Sequence, residues 1–586
     1  MKQISLAILL IAAITTHSYG QYYIRGQVKD EKGRPLSGVL IKLYTKGNLQ
    51  FFSGENGLFG IPSAKQVDSI TLSYDGYQTW HNAVATQDYQ TLVMKMLPAT
   101  ASLMKSKLSS ITKNLSQQQQ LNIFSTIGES YNSILENSFI AAKAYPETGF
   151  ALNIDRASYS NIRRFLNNEL NVPTNAVRIE EMLNYFNLSI GKTSNNSEKF
   201  TCKYVTTNCP WNSKNNLLFI NLNAPKLNLD SVPASNLVFL IDVSGSMDKP
   251  NRLPLLQAGF KLLVKNLREI DKLCIVTYGG NVAVPLQPTS GSEKEKINEV
   301  IDSLTASGDS PGEGAIRLAY SIAKSNFIPT GNNRIILATD GDFNVGQTSD
   351  KELEDMIGIQ RQSGIYLTCL GVGMGNYKDS KLETLSKKGN GNFAYLDNAT
   401  EAEKVLVTEF TKTIYNVAND AYLSVLFDAD VVKNYRLIGF DNKKDDIADP
   451  SSKVEGGEVG SGHSLLAIFE IEAKDTVDIN NKKIATINLL YKPSQKNIDV
   501  TQTFDVTANL QKLDTADASI RFATAVSMFG ALLKNSPFAK TYSFEDVLLL
   551  ARSALDKSSF SQQEFVSLVQ KADKIYKPSK KKNKKN

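Results

Sequence analysis

The sequence predicts a multidomain α/β plus all-β protein, with a doubly wound α/β domain between β-rich flanks, a β-sandwich before them and helices at the end. Three observations predict this. Between residues 236 and 404, apolar runs of strand length alternate with helical patterns, the texture of a parallel sheet covered on both faces. Short β-branched runs broken by turn residues fill 22–97 and return beyond residue 420. Helical periodicity takes over after residue 507. A chain of 586 residues is too long for one core. Its 42% hydrophobic and 21% charged content is ordinary for globular domains and argues against a membrane channel or wholesale disorder.

Residues 1–20 have the pattern of an export signal. Lys2 supplies the positive end, Leu6 to Ile14 form an apolar run too short to span a bilayer, and Ser18 and Gly20 are small residues before a cut ahead of Gln21. No cysteine stands there for lipid attachment, so a soluble exported protein of the periplasm or cell surface is expected. In 22–97, Tyr23–Val28 is a strand, Asp30–Gly33 a turn and Leu40–Tyr44 a second strand, with Gly54–Phe59 and Ser69–Tyr77 further on. Residues 98–140, with the run Ser116–Gln120, are expected to be a linker. In 141–230, Phe150–Asp155 is strand-like, a helix runs from Ser160 to Asn168, and Ile179, Met182, Leu183 and Phe186 share one face of another.

The central domain, 235–404, opens with the apolar strand Leu237–Ile241, and Pro254 suits the first turn of the next helix. Further strands are expected at Leu273–Tyr278, Val282–Leu286, Arg334–Ala338, Ile365–Leu370 and Phe393–Leu396. Residues 405–575 combine strands to about 507 with helices over Ala518–Leu533, Phe544–Ala554 and Ser561–Ala572. The strand texture near 199–224 and 420–507 predicts that these segments pair into one sheet assembly from which the central domain projects.

The formal charge of +6 equals the six lysines Lys577, Lys580, Lys581, Lys582, Lys584 and Lys585 of the tail 576–586, so the remainder is near neutral and nucleic acid is not an expected partner. That tail is either a solvated terminus or a weak contact for an anionic membrane. Four cysteines do not make a disulfide scaffold. Cys202 and Cys209 either bridge or stay free. Cys274 and Cys369 sit inside apolar strands and read as small buried hydrophobes. With His17 in the signal, His81 and His463 remain in separate domains, which argues against a histidine triad or a zinc site.

Chemistry gathers just past the strand ends. Asp242, Ser244 and Ser246 follow the first strand, Asp340 and Asp342 follow the strand ending near Ala338, and Ser310 precedes Pro311-Gly312-Glu313-Gly314. Ligands of open α/β sheets bind at the carboxyl ends of strands where the winding reverses. An all-oxygen donor set suits a hard divalent cation, Mg²⁺ first and Mn²⁺ or Ca²⁺ next. Two carboxylates and neutral hydroxyls leave such an ion able to attract a further carboxylate. Gly245 is expected to bend the loop so that both serines face inward. Asp342 reads as a solvated or outer group, and Gly371–Gly375 as a loop.

Val238-Phe239-Leu240-Ile241-Asp242-Val243-Ser244-Gly245-Ser246-Met247, with Ala338-Thr339-Asp340-Gly341-Asp342, resembles the von Willebrand factor type A (VWA) domain and its metal-ion-dependent adhesion site (MIDAS). The resemblance implies a Rossmann-like fold and a cation on Asp242, Ser244, Ser246 and Ser310, with Asp340 acting through water. Serine stands at 310 where the family usually has threonine. The segments Ser158–Leu166, Val177–Phe186, Gly375–Asp379, Tyr435–Phe440 and Gly457–His463 are similar to the flanks of one bacterial VWA subgroup. Residues 22–97 resemble the carboxypeptidase regulatory-like domain, a small transthyretin-like sandwich. These resemblances imply a non-enzymatic, exported adhesion or assembly module whose cation grips an acidic group on a protein partner. The alternatives are a metal-dependent hydrolase, for which Glu313 is the nearest base, and a structural envelope protein anchored by its basic tail.

Overall fold

The computed structural model describes residues 22–47, 49–74, 77–86, 88–95, 129–132, 135–153, 155–188, 190, 199–228, 232–308, 312–341, 350–374, 377–410, 412, 415–449, 454, 456–494 and 498–577. The export signal, the Gln run, Ser310, Asp342 and the tail beyond 577 lie outside them. The chain divides into two units, Met1–Lys105 and Ser106–Asn586. Among the described residues, no helix is long and apolar enough to cross a membrane.

The first unit is a two-sheet β-sandwich. Tyr22–Asp30 lies between Leu58–Ser63, antiparallel, and Tyr89–Met94, parallel. Gln50–Phe52, Leu40–Leu43, Val67–Ser73 and Trp80–Ala85 form the other sheet in that order. Alternation decides which side chains meet: Ile24, Val28, Phe59 and Ile61 of one sheet share a core with Ile41, Leu43, Ile70 and Leu72 of the other. Tyr44 opens a short helical turn and does not extend the strand expected to include it.

In the second unit, the central domain is a sheet with β1 (Ser235–Asp242), β2 (Lys272–Gly279), β3 (Asn281–Ser290), β4 (Asn332–Thr339), β5 (Ile365–Val372) and β6 (Phe393–Leu396). Strand order is β3-β2-β1-β4-β5-β6, parallel except for β3. The winding therefore reverses between β1 and β4, where Ile241 pairs with Ala338. Every residue of β1 is buried, as a strand covered on both faces requires. Leu237, Phe239 and Ile241 face α1 (Leu253–Lys265) and α2 (Lys294–Ser303), with Phe239 stacked on Phe260 at 4.3 Å between ring centroids. Val238 and Leu240 face α3 (Gly312–Ser325) and α4 (Asp350–Gln362).

The flanks, delimited by sequence at 141–230 and 405–575, form one structure. Asn215–Asn223 pairs antiparallel with Ser464–Ala473 across the whole insertion, the pairing that their strand texture predicts. Glu147–Ala151 pairs with Asn416–Phe427 in a second sheet. Phe150, Leu218, Ile220, Leu423, Phe469 and Ile487 fill the core common to both sheets. The helices Ala518–Leu533, Phe544–Ser553 and Phe560–Tyr576 share a further core with Ala157–Asn167 and Ile179–Tyr185. The linker expected over 98–140 gives way to ordered structure from Glu129: Ser130 bonds to Tyr377, and Ile140–Ala141 joins the strand Val432–Ile438. The strand expected at Phe150–Asp155 starts earlier, at Glu147, and stops at Ala151.

All four cysteines are free. Cys202 lies in the strand Thr201–Asn208 and Cys209 follows its last residue. Seven steps of extended chain put them roughly 23 Å apart, so the bridge left open by sequence is out of reach.

Buried ion pairs join the central domain to its flanks. Arg178, fully buried, pairs with Glu181 and with Asp379 of α5 (Asp379–Lys388), the latter at 2.9 Å. Asp155 accepts from the Phe393 backbone N–H at 2.8 Å. Burial, reinforced by Glu181 and Glu383 and opposed by Lys387, pushes the Asp155 carboxyl up to about 7. An unfolded aspartate titrates near ~3.9, so between these values the folded chain holds a proton that the unfolded chain has lost. The stability contributed there is full below the unfolded value and declines as pH rises towards the folded one. Asp155→Asn should therefore gain stability relative to the unaltered chain between pH 5 and 8, measured by denaturant unfolding. Parallel profiles for the two proteins would contradict this.

Candidate metal centre

The site begins where β1 runs out of apolar residues. Asp242 is the last residue of the strand and fully buried, Ser244 is nearly so, and Ser246 is exposed. The Ser244 backbone N–H donates to Asp242 Oδ1 at 2.9 Å, which folds the loop back on the strand end. Gly245–Met247 then makes one helical turn, pinned by the buried Met247 side chain. That turn sets the Ser244 and Ser246 hydroxyls 3.1 Å apart.

The neighbouring strand end completes the group. Thr339, last in β4, donates its hydroxyl to Asp242 Oδ2 at 2.8 Å. Ser246 Oγ donates to Asp340 Oδ2 at 2.8 Å. Arg252 forms an ion pair with the same Asp340 oxygen and donates to the Ser246 and Met374 carbonyls at 2.6 and 2.9 Å. Four of the five expected site residues, Asp242, Ser244, Ser246 and Asp340, thus meet through direct hydrogen bonds. Ser310 and Asp342 fall outside the described residues.

Gly245 does not play the expected part. It sits in an ordinary helical turn without positive φ, and an added Cβ would meet nothing nearer than the Gly308 carbonyl at 3.6 Å. The conformational demand falls on a glycine pair instead. Gly308 (φ 75°) and Gly280 (φ 74°) press together, and a Cβ on Gly308 would lie 2.5 Å from the Gly280 Cα. Gly308 also accepts the Gly245 N–H at 2.9 Å, and Ser307 N–H donates to the Val243 carbonyl at 2.7 Å. This ties the segment leading to Ser310 onto the Asp242 loop. Gly308→Ala is expected to lose about 2 kcal/mol or more, from left-handed strain and the backbone clash. Denaturant unfolding checks this, and an unchanged midpoint would contradict it.

Burial pushes the Asp242 carboxyl up, the Asp340 charge adds to that, and hydrogen bonds from Ser244 and Thr339 oppose it. A buried carboxylate beside a second one is favoured by a nearby positive charge. The converging side-chain donors are all oxygen, two anionic and the rest neutral hydroxyls, which fits a hard divalent cation. Asp242, Ser244, Ser246 and Asp340 are the residues able to hold one.

Sequence reasoning missed three groups here. Arg252, just before the helix that Pro254 opens, carried no signal of its own. Thr339 carried the signal of standing next to Asp340. Tyr278 pairs with Asp242 in the register of β1 and β2, and so also borders the site. Elsewhere, oxygens of Asp155, Glu181 and Glu383 lie within 4.8 Å of one another. Arg178 and Lys387 pair with members of that cluster, which makes it part of the ion network at the domain joint. Glu313 pairs with Arg317 at 3.1 Å along α3. Burial, with Arg156 and Lys412 nearby, pushes the half-buried His463 down to about 3, so it is neutral.

The family described as von Willebrand factor type A domain matches residues 237–342. A family described as von Willebrand factor matches 125–219, and one described as the C-terminal part of uncharacterized protein YfbK matches 412–575. The chain is 35% identical over 472 residues to uncharacterized protein YfbK of Escherichia coli K12, covering 76% of this chain and 81% of that protein. It is 27% identical over 181 residues to inter-alpha-trypsin inhibitor heavy chain H2 of Homo sapiens, 30% of this chain and 19% of that one. Among solved structures, von Willebrand factor type A from Catenulispora acidiphila superposes with a TM-score of 0.39 at 14% identity, over 65% of this chain and 91% of that chain.

Proposed function

The chain belongs to the YfbK family of proteins built around a VWA domain, and on that premise we propose that it is an exported, metal-ion-dependent protein-binding module of adhesion or assembly. VWA domains commonly mediate metal-dependent protein interactions and often bind a divalent metal at a MIDAS. The observation that carries the reading is the convergence of Asp242, Ser244, Ser246 and Asp340 at the carboxyl ends of β1 and β4, with the carboxylates buried and Ser246 open to solvent.

Mg²⁺ is the proposed ion, with Mn²⁺ or Ca²⁺ as substitutes, and Ser310 supplies a further hydroxyl. When bound, the ion accepts a carboxylate oxygen from a partner protein. One such contact contributes about 1.5–3 kcal/mol, comparable to a hydrogen bond to a charged group. Specificity then rests on the surrounding surface. The proposed location, periplasm or cell surface, rests on Lys2 and the Leu6–Ile14 run. The sandwich over 22–97 is read as a transthyretin-like, carboxypeptidase regulatory-like spacer or docking module, and the lysine tail as a weak contact for anionic membrane.

The test is affinity capture from an extract of envelope proteins, with and without chelator, using the unaltered chain and Asp242→Ala. Partner capture should be lost in chelator and in the variant while the fold is retained. Capture that survives both rejects the mechanism.

A further inference from the structure

We infer that Arg252 sets the charge of this site: it cancels one of the two carboxylates, so that a bound divalent cation keeps positive charge for an acidic partner. The inference rests on the cation reading above. Three features carry it.

The first is position. Arg252 is the residue capping the N-terminus of α1, and no side-chain hydrogen bond caps that helix. Serine, threonine, aspartate or asparagine ordinarily stands there and accepts a backbone N–H, whereas arginine has no acceptor and places positive charge at the positive end of the helix dipole. A residue that breaks a local rule at a functional site has a reason in the site.

The second is how firmly the guanidinium is held. Arg252 is buried, Nη1 serves Asp340 Oδ2 and the Ser246 carbonyl, and Nη2 serves the Met374 carbonyl. Gly373 (φ 78°) passes beneath it, where a Cβ would come within 2.5 Å of Nε. The loop after β5 is therefore shaped around this side chain.

The third is charge. The formal sum over Asp242, Asp340 and Arg252 is −1, against −2 for the two carboxylates alone. A dication at −1 keeps net positive charge, whereas at −2 it is neutralised and attracts an incoming carboxylate far less. The same cancellation weakens the hold on the cation itself. Arg252 is a positioning residue, acting on the ion through Asp340.

The experiment titrates Mn²⁺ into the full chain by calorimetry, for the unaltered protein, Arg252→Gln, Arg252→Lys, Asp340→Asn and the double variant Asp340→Asn/Arg252→Gln. Melting in chelator checks the fold. Arg252→Gln should bind Mn²⁺ about tenfold tighter, because the positive charge paired with Asp340 is gone, and Arg252→Lys should stay within about threefold of the unaltered chain. The double variant should bind about tenfold tighter than Asp340→Asn alone, since an uncompensated positive charge has been removed. It removes both members of a buried pair, so it is expected to fold even where Arg252→Gln does not. A purely structural role would weaken binding in every Arg252 variant. Folded Arg252→Gln with unchanged or weaker affinity, or a double variant no better than Asp340→Asn, overturns the inference. Absence of Mn²⁺ binding by the unaltered chain instead overturns the cation reading on which it rests.

Discussion

Arg163→Met is expected to destabilise the second unit by about 3–5 kcal/mol, the range for removing one partner from a buried ion pair. Arg163 stands on the helix Ala157–Asn167 and is buried, yet it serves three separate parts of the chain. Its Nε donates to Asp397 at 2.7 Å, Nη2 to Glu401 at 2.8 Å, and Nη1 to Glu564 at 2.9 Å and to the Tyr185 hydroxyl at 3.1 Å. Asp397 and Glu401 follow β6 in the central domain, and Glu564 lies on the C-terminal helix Phe560–Tyr576. Without the guanidinium these carboxylates face one another in a low-dielectric setting, and burial already pushes Asp397 up. Protonation of Asp397 relieves the repulsion, so the loss should shrink as pH falls from 7 towards 4. Denaturant unfolding across that range checks both parts. A loss under about 1 kcal/mol at pH 7 would show that the pairs resemble exposed salt bridges, contrary to their burial.

Asp242→Asn is expected to lose Mg²⁺ binding by a hundredfold or more while leaving the metal-free protein at least as stable as the unaltered chain. The carboxylate sits fully buried at the end of β1, and burial disfavours its charge. An amide keeps the shape and can still accept from Ser244 N–H or the Thr339 hydroxyl, but it carries no charge to desolvate. On the proposed reading, the folded state maintains a costly anion for a cation to compensate, the familiar opposition between stability and function. In melting experiments, Mg²⁺ at a hundred times the unaltered chain's dissociation constant is expected to add about 2.7 kcal/mol to the unaltered chain and no more than about 0.4 kcal/mol to the variant. A variant that melts well below the unaltered chain in chelator would show that Asp242 serves the fold instead.

Much of this was legible from residue order, for physical reasons. The parallel strands announce themselves because burial on both faces forces continuous apolar runs, and Phe393–Leu396 is found at the expected bounds. Ends drift where polar residues are buried: Asn333 and Thr339 lie inside the sheet, so the strand expected at Arg334–Ala338 spans Asn332–Thr339. Asp242, Ser244 and Ser246 fall within five residues at the end of one strand, and Asp340 follows another recognisable strand, so their meeting could be foreseen from the winding. Arg163 and Arg164 could not be read correctly. On a two-layer helix they would mark the solvent face, but Ala157–Asn167 is wedged between the central domain and the C-terminal helices, and its whole circumference is covered. Arg252 was hidden for the same kind of reason, since its partner lies 88 residues further along the chain. The cysteine question depended on whether residues 201–208 ran straight or turned, and the strand settles it.

The most direct test of the cation site is an anomalous difference map from crystals of the full chain grown or soaked with Mn²⁺. The account predicts one strong peak coordinated by the Ser244 and Ser246 hydroxyls beside Asp242 and Asp340. A peak only at the Asp155, Glu181 and Glu383 cluster, or no peak at the Ser244–Ser246 loop at millimolar Mn²⁺, would contradict it.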